Sequence, residues 1–348
     1  MTRRAVVICP GRGTYNKPEL GYFGRHHADQ GAMLAGFDAI RTAEGQDPVS
    51  ALDGAARFDA KHHTRGDIAS PLIYACALAD ARALAEDIEV VAVTGNSMGW
   101  YIALAVAGAL DAYDGFRVVN TMGTLMQQAS LGGQLIYPYM DENWHNDTTN
   151  KAHLLSAADE INAHTDHQLG LSIDLGGMLV LAGNEAGLTA FEAAVPPAQG
   201  RFPMRLPNHA AFHTGMQDPV AQAGRARLKA DMFGQPQIPM IDGRGAIWWP
   251  GASDPAALWD YTLGHQVTET YDFTHAIRVA AREFAPDLFI VTGPGATLGG
   301  AVAQSLITCD WAGMSSKSDF QSRQSDAPIL ISMGLEDQRS VVLNAAQR

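Results

Sequence analysis

The stretch Val90 to Gly108, VVAVTGNSMGWYIALAVAG, decides the reading of this chain. Val90-Val91-Ala92-Val93 is a short apolar run rich in β-branched residues, the pattern of a buried parallel strand. The run breaks at Gly95-Asn96-Ser97-Met98-Gly99 and resumes at Trp100 as an alanine-rich helical segment. A serine between two glycines at a strand-to-helix turn is the nucleophile-elbow pattern G-x-S-x-G. The glycines allow a tight turn around a strained serine backbone, where any Cβ would crowd neighbouring main chain. The following helix aims its free N–H groups at the place where an oxyanion would form. Ser97 is therefore the candidate nucleophile.

Composition narrows the class. The 348 residues suffice for one large domain, alone or with an insertion, and carry 47% hydrophobic and 18% charged residues. A net charge of -13 argues against nucleic acid as a partner. No apolar run approaches the ~20 residues of a membrane span, and the apolar core after Arg4 is too short for a signal peptide. Cys9, Cys76 and Cys309 are far apart, odd in number and without metal-ligand spacing. They read as buried, reduced thiols, with a cytoplasmic location, no metal and no cofactor expected.

Working outward, Ala5 to Cys9 reads as a first strand that ends in the loop Pro10-Gly11-Arg12-Gly13-Thr14. A glycine-rich loop leaving a strand can present N–H groups to an anion. Gly31 to Arg41 reads as a helix, and Ser70 to Leu84 as another with Ser70 as N-cap and Pro71 at its first position. Asp111 caps a helix running to about Ala129. Between 131 and 199 the pattern changes: Gln134 to Met140 and Met178 to Ala182 are strand-like, Leu154 to His164 and Gly187 to Val195 helical. Residues 131–199 are therefore expected to form a small α+β subdomain inserted into a large domain made of 1–130 and 200–348. Asp218 to Met232 reads as a helix, Pro239 to Asp242 and Leu288 to Thr292 as further strands. The last ends in Gly293-Pro294-Gly295, at the sheet edge where α/β sites assemble. Lys317 to Asp326 is polar and reads as a surface loop.

A serine hydroxyl needs a base. Of twelve histidines, His209 and His213 lie in the loop PNHAAFHT with apolar neighbours, and spacing does not choose between them.

The elbow and the helix after it, VTGNSMGWYIALAVAGALDAYDGFRVVNTMGTLMQ, resemble the active-serine region of malonyl-CoA:acyl-carrier-protein transacylases and the acyltransferase domains of polyketide and fatty-acid synthases. Further resemblances follow in family order: Cys9 to Gly13 to the PGQG loop, Met178 to Gly183 to the QVVIAG strand, Ala211 to Thr214 to the AFHS loop, and Val291 to Gly295 to the EVGPG turn. They span about residues 5 to 305. The resemblance implies an α/β-hydrolase-like large domain with a parallel sheet and a ferredoxin-like inserted subdomain. It implies Ser97 as nucleophile, His213 as base, and an oxyanion hole from the backbone N–H groups of Met98 and Arg12. It also implies a carbonyl near Asp242 and Gly243 that orients the histidine, with Asp242 itself as an alternative third member.

Departures from the family pattern are as informative. The arginine that pairs with malonyl carboxylate in the family falls on Met122, and a thioether cannot replace a guanidinium. Arg117 lies five residues away, roughly 140° around the helix. Asn96, Trp100 and Asp174 replace the usual histidine, glutamate and asparagine. With Met122, Met178 and Phe212 they are expected to line the substrate pocket. The resulting expectation is an acyl-CoA:acyl-carrier-protein acyltransferase working through an acyl-serine and favouring an uncharged acyl group. The alternatives are an acyl-carrier-protein thioester hydrolase, or malonyl transfer with Arg12 holding the carboxylate. Acyl-CoA and an acyl carrier protein are the implied partners of a monomeric enzyme. Arg201, Arg205, Arg225, Arg227 and Lys229 form a candidate carrier-docking patch, unless they are only a solvated face.

Overall fold

The computed structural model describes residues 2–343. Two sheets organise it. The larger has six strands in the order β11-β10-β1-β2-β7-β8. Its strands are β1 (Arg3–Cys9), β2 (Ile88–Gly95), β7 (Met240–Ile241), β8 (Ile247–Trp248), β10 (Leu288–Val291) and β11 (Leu330–Ser332). All its pairings are parallel except the β7–β8 hairpin. Val6, Val7, Ile8, Ala92 and Val93 are fully buried, as expected of strands covered on both faces.

Helices α1 (Gly66–Arg82), α2 (Gly99–Val106) and α3 (Ala112–Ala129) pack together beside this sheet. The side chain of Asp111 caps α3 by accepting the N–H groups of Tyr113 and Asp114. Helix α1 begins at Gly66, not at Ser70, so Pro71 lies inside it. Proline cannot donate to the carbonyl four residues back. Here that carbonyl, of Asp67, accepts instead from the buried Arg41 guanidinium at 2.9 Å.

The smaller sheet has the order β6-β3-β5-β4-β9. Its strands are β3 (Gly133–Pro138), β4 (Leu169–Leu175), β5 (Met178–Gly183), β6 (Met204–Arg205) and β9 (Tyr271–Asp272). Strands β6 and β9 come from outside 131–199, so that segment does not build the sheet alone. Along β3 the faces alternate. Leu135 and Tyr137 join a separate apolar core with Leu181 and Phe191, whereas Gln134 and Ile136 line a cleft shared with the large sheet.

Segment Lys317–Asp326 is a helix rather than a loop. Its polar sequence hid it, but Ser316 caps it, and Phe320 packs against Trp144 with ring centroids 5.9 Å apart. No helix among the described residues is long and apolar enough to cross a membrane.

Candidate active site

Parallel pairing of β1 and β2 sets Cys9 beside Gly95, so the loops that follow both strands emerge at one sheet edge. The Asn96 N–H donates to the Cys9 carbonyl at 3.0 Å and ties the two loops together. A Cβ at Gly99 would run into that same carbonyl, and one at Gly95 into the Gly99 backbone. The glycines are thus required by close approach. Ser97 carries φ 55°, the strained geometry of an elbow.

Ser97 Oγ lies 2.7 Å from His213 Nε2, and His213 Nδ1 lies 2.7 Å from the carbonyl oxygen of Gln266. A carbonyl only accepts, so Nδ1 carries the proton and Nε2 is free to accept the serine hydroxyl. The His213 N–H donates to the Val267 carbonyl at 3.1 Å. Burial holds His213 down to about 4, against a smaller upward pull from the Gln266 carbonyl. The imidazole is therefore neutral at physiological pH, as a general base must be.

Gln266 also holds the nucleophile. Its side-chain amide donates to the Ser97 carbonyl at 3.0 Å and accepts from the Tyr101 hydroxyl at 2.9 Å. Sequence reasoning missed this residue. It sits in the short helix His265–Thr268, and no linear motif marks a glutamine that acts through both side chain and backbone.

The expected histidine-orienting position is corrected. Asp242 is fully buried and occupied by its own turn: it accepts from Trp248 Nε1 at 3.0 Å and pairs with Arg244 at 2.6 Å. Gly243 accepts from the N–H of Asp272 and donates to the Tyr261 hydroxyl. The His213 ring nitrogens bond to Gln266 and Ser97 instead.

Ser97 stands between two spaces. One is a small cavity of about 20 Å³ that Arg12, Met98, Met126, Phe212 and His213 help to line. The other is the inter-sheet cleft of about 300 Å³, bordered by Arg12, Asn96, His209 and Phe212. The backbone N–H groups of Arg12 and Met98 have no acceptor among the described residues. They are thus available to an oxyanion. Asn96 Oδ1 is buried without a partner on the cleft side.

The other expected pocket residues lie elsewhere. Trp100 is fully buried and donates to Thr262 Oγ1 at 3.0 Å, with its ring edge-on to Tyr261. Met122 is fully buried with its sulfur beside Gly224, so it points into the helix packing and not into the cavity. The next turn of α3, at Gly123 and Met126, faces the cavity instead. Asp174 pairs with Lys151 and accepts from Thr274 Oγ1 at 2.6 Å in a separate polar hollow. Met178 borders an outer groove rather than the space beside Ser97. Arg117 pairs with Asp114 at the surface, in line with the angle around the helix.

Arg12 contributes more than main chain. Its guanidinium sits over the Phe212 ring at 5.4 Å, and Nη2 donates to the carbonyls of Thr64 and Asn208 at 3.1 and 2.8 Å. Its Nε is buried without a partner. Burial lowers its pKa to about 10, partly offset by Asp67, so it stays charged. Of the five residues of the suggested basic patch, two are ion-paired: Arg205 with Glu185 and Glu192, and Arg225 with Asp260.

Fold and site together define an α/β protein with a serine–histidine dyad at a nucleophile elbow. No protein-family model matches the chain. It is 25% identical over 211 residues to the malonyl CoA-acyl carrier protein transacylase of Salmonella typhimurium, covering 60% of this chain and 63% of that protein. It is 26% identical over 230 residues to a polyketide synthase of Streptomyces halstedii, covering 66% of this chain and 4% of that protein. The chain thus spans less than two thirds of the length of either relative. Among solved structures, the acyl-carrier-protein S-malonyltransferase of Burkholderia pseudomallei superposes with a TM-score of 0.74 at 21% identity, covering 99% of this chain and 97% of that one. A malonyl-transacylase in complex with its type II polyketide synthase acyl-carrier protein superposes with a TM-score of 0.70 at 20% identity, covering 88% of this chain and 99% of that one. The chain is thus similar in sequence to malonyl-CoA:acyl-carrier-protein transacylases and polyketide synthases, and shares the fold of the transacylases.

Proposed function

We propose that the protein is an acyltransferase that moves a short acyl group from a coenzyme A thioester onto Ser97, and from Ser97 onto the thiol of an acyl carrier protein. The observation that carries this reading is the Ser97–His213 contact at 2.7 Å, with His213 locked in the accepting tautomer by the Gln266 carbonyl. Ser97 Oγ attacks the thioester carbonyl while its proton passes to His213 Nε2. The N–H groups of Met98 and Arg12 take the oxyanion. The thiolate leaves with the proton from His213, and a second thiol reverses the sequence. The relatives' described activity supports a carrier thiol as acceptor.

The small cavity supports a short acyl group, since about 20 Å³ holds little more than one water before side chains move. Met122 does not line that cavity and packs against Gly224, so its thioether does not shape the space for the acyl group. A charged guanidinium with an unpartnered Nε lines it, which favours an acyl group ending in a carboxylate held by Arg12.

Intact-mass measurement after brief incubation with malonyl-, acetyl- and hexanoyl-CoA tests both levels, with Ser97→Ala as control. A malonyl adduct on wild type, absent in the variant and discharged by a holo carrier protein, is the expected result. Adducts discharged equally fast without a thiol would make the enzyme a hydrolase, and no adduct with any donor would overturn the reading.

A further inference from the structure

A second histidine, which the dyad does not use, faces the same cleft. His209 borders it beside Gln134 and Ser97, and its ring packs against Phe212 with centroids 5.8 Å apart. Its Nδ1 lies 2.8 Å from Gln134 Oε1. Gln134 Nε2 lies 2.6 Å from Ser172 Oγ, and Ser172 Oγ lies 2.8 Å from the Phe212 carbonyl. Gln134 and Ser172 are both buried.

This relay has one consistent set of protons. The Phe212 carbonyl only accepts, so it takes the single Ser172 hydroxyl hydrogen. Ser172 Oγ must then accept, and only the NH₂ end of Gln134 can donate to it. Gln134 therefore turns its oxygen to His209, which must answer with Nδ1–H. The amide orientation and the tautomer both follow from the backbone carbonyl at the end of the relay. It leaves Nε2 of His209 as a bare acceptor with no partner among the described residues.

We propose that His209 Nε2 is a preset hydrogen-bond acceptor for an amide N–H on the arm of the thioester, and so a positioning residue for that arm. The inference rests on the acyl-transfer reading. Coenzyme A and phosphopantetheinyl carriers share a secondary amide two carbons from the sulfur, the first N–H donor a thioester brings into the cleft beside Ser97. Burial and the neighbouring Arg12 push the His209 pKa well below its usual value, which keeps the ring neutral and suits an acceptor better than a base. Gln134 and Ser172 act through His209 and need not meet the substrate.

A matched pair of small donors tests this: the acyl thioester of N-acetylcysteamine, and its analogue in which oxygen replaces the amide N–H. Wild type should acylate from the amide about tenfold faster in kcat/KM, the size of one hydrogen bond. In His209→Leu the ratio should fall to near one, and in Ser172→Ala, where Gln134 is free to turn, it should fall part of the way. His209→Gln, which retains an acceptor, should restore part of it. Nitrogen-15 NMR of wild type reads the tautomer directly, whether or not a variant folds. An Nε2–H tautomer, or equal use of the two donors by wild type, overturns the proposal while leaving Ser97 acylation standing. Failure of both donors and of acyl-CoA to label Ser97 would sink the acyl-transfer reading itself.

Discussion

The main-chain carbonyl of Gln266 accepts the Nδ1–H of His213 at 2.7 Å, and the side chain of the same glutamine donates to the Ser97 carbonyl at 3.0 Å. One residue thus registers base and nucleophile against each other. Gln266→Ala retains the main-chain bond and leaves the Ser97 carbonyl with the Trp100 N–H as donor at 3.0 Å, but it strips the buried Tyr101 hydroxyl of its acceptor, at about 1–3 kcal/mol. We expect a lowered Tm and a partial loss of kcat/KM for acylation. Ser97→Ala and His213→Ala should each cost at least about 10³-fold, because the dyad works as a unit. A Gln266→Ala enzyme as inactive as Ser97→Ala would place Gln266 in the chemistry itself.

The pH dependence follows from a base held neutral. His213 must be unprotonated to accept the serine proton, so acylation should stay level from neutral pH down to about 5 and fall through an apparent pKa of about 4. Stability carries the same sign. The unfolded histidine binds its proton below about 6.5, but the folded one resists until about 4. The stabilising contribution is therefore whole above about pH 6.5 and lost as pH falls toward 4, by about 3 kcal/mol. Urea unfolding of wild type and His213→Gln at pH 7 and 4.5 checks it: the variant should lose less stability on acidification.

Asp242 separates a triad from a dyad. In Asp242→Asn the imidazole keeps its Gln266 partner, so kcat should change by less than about threefold, a small barrier change. Arg244 would lose the carboxylate it pairs with, and Trp248 Nε1 a charged acceptor. A stability loss of about 1–3 kcal/mol is expected, read as a fall in Tm. A large fall in kcat with Tm unchanged would put Asp242 back among the catalytic groups.

Acyl selectivity separates Arg12 from Met122. Restoring the family arginine by Met122→Arg puts a charge beside Gly224 in dry helix packing, which should cost about 3–5 kcal/mol and confer no preference for malonyl-CoA. Arg12→Gln should lower the ratio of malonyl to acetyl transfer by about 10–100-fold, the value of a charge-assisted hydrogen bond. Competition between the two donors, followed by mass, gives that ratio. An unchanged ratio would return the site to uncharged acyl groups.

The nucleophile was legible in the chain because an elbow is local. Its glycines, strand and helix lie within twenty residues, and the backbone geometry that strains Ser97 is set by its immediate neighbours. The strands β1, β2, β5 and β10 and the cap of α3 were legible for the same reason: each is written as a short periodic run or a capping residue. Resemblance selected His213 over His209, which spacing could not. What only the tertiary structure decided were partnerships across long separations. Gln266 reaches back 169 residues to Ser97, Arg41 covers the carbonyl that Pro71 exposes, and β6 and β9 complete a sheet begun elsewhere. Whether an α3 side chain meets the cavity or the core is likewise a matter of one helical turn, which put Met126 at the site and Met122 against Gly224. Residue identity limits what a side chain is able to do chemically; its distance to a partner far along the chain is fixed by packing, which no local pattern records.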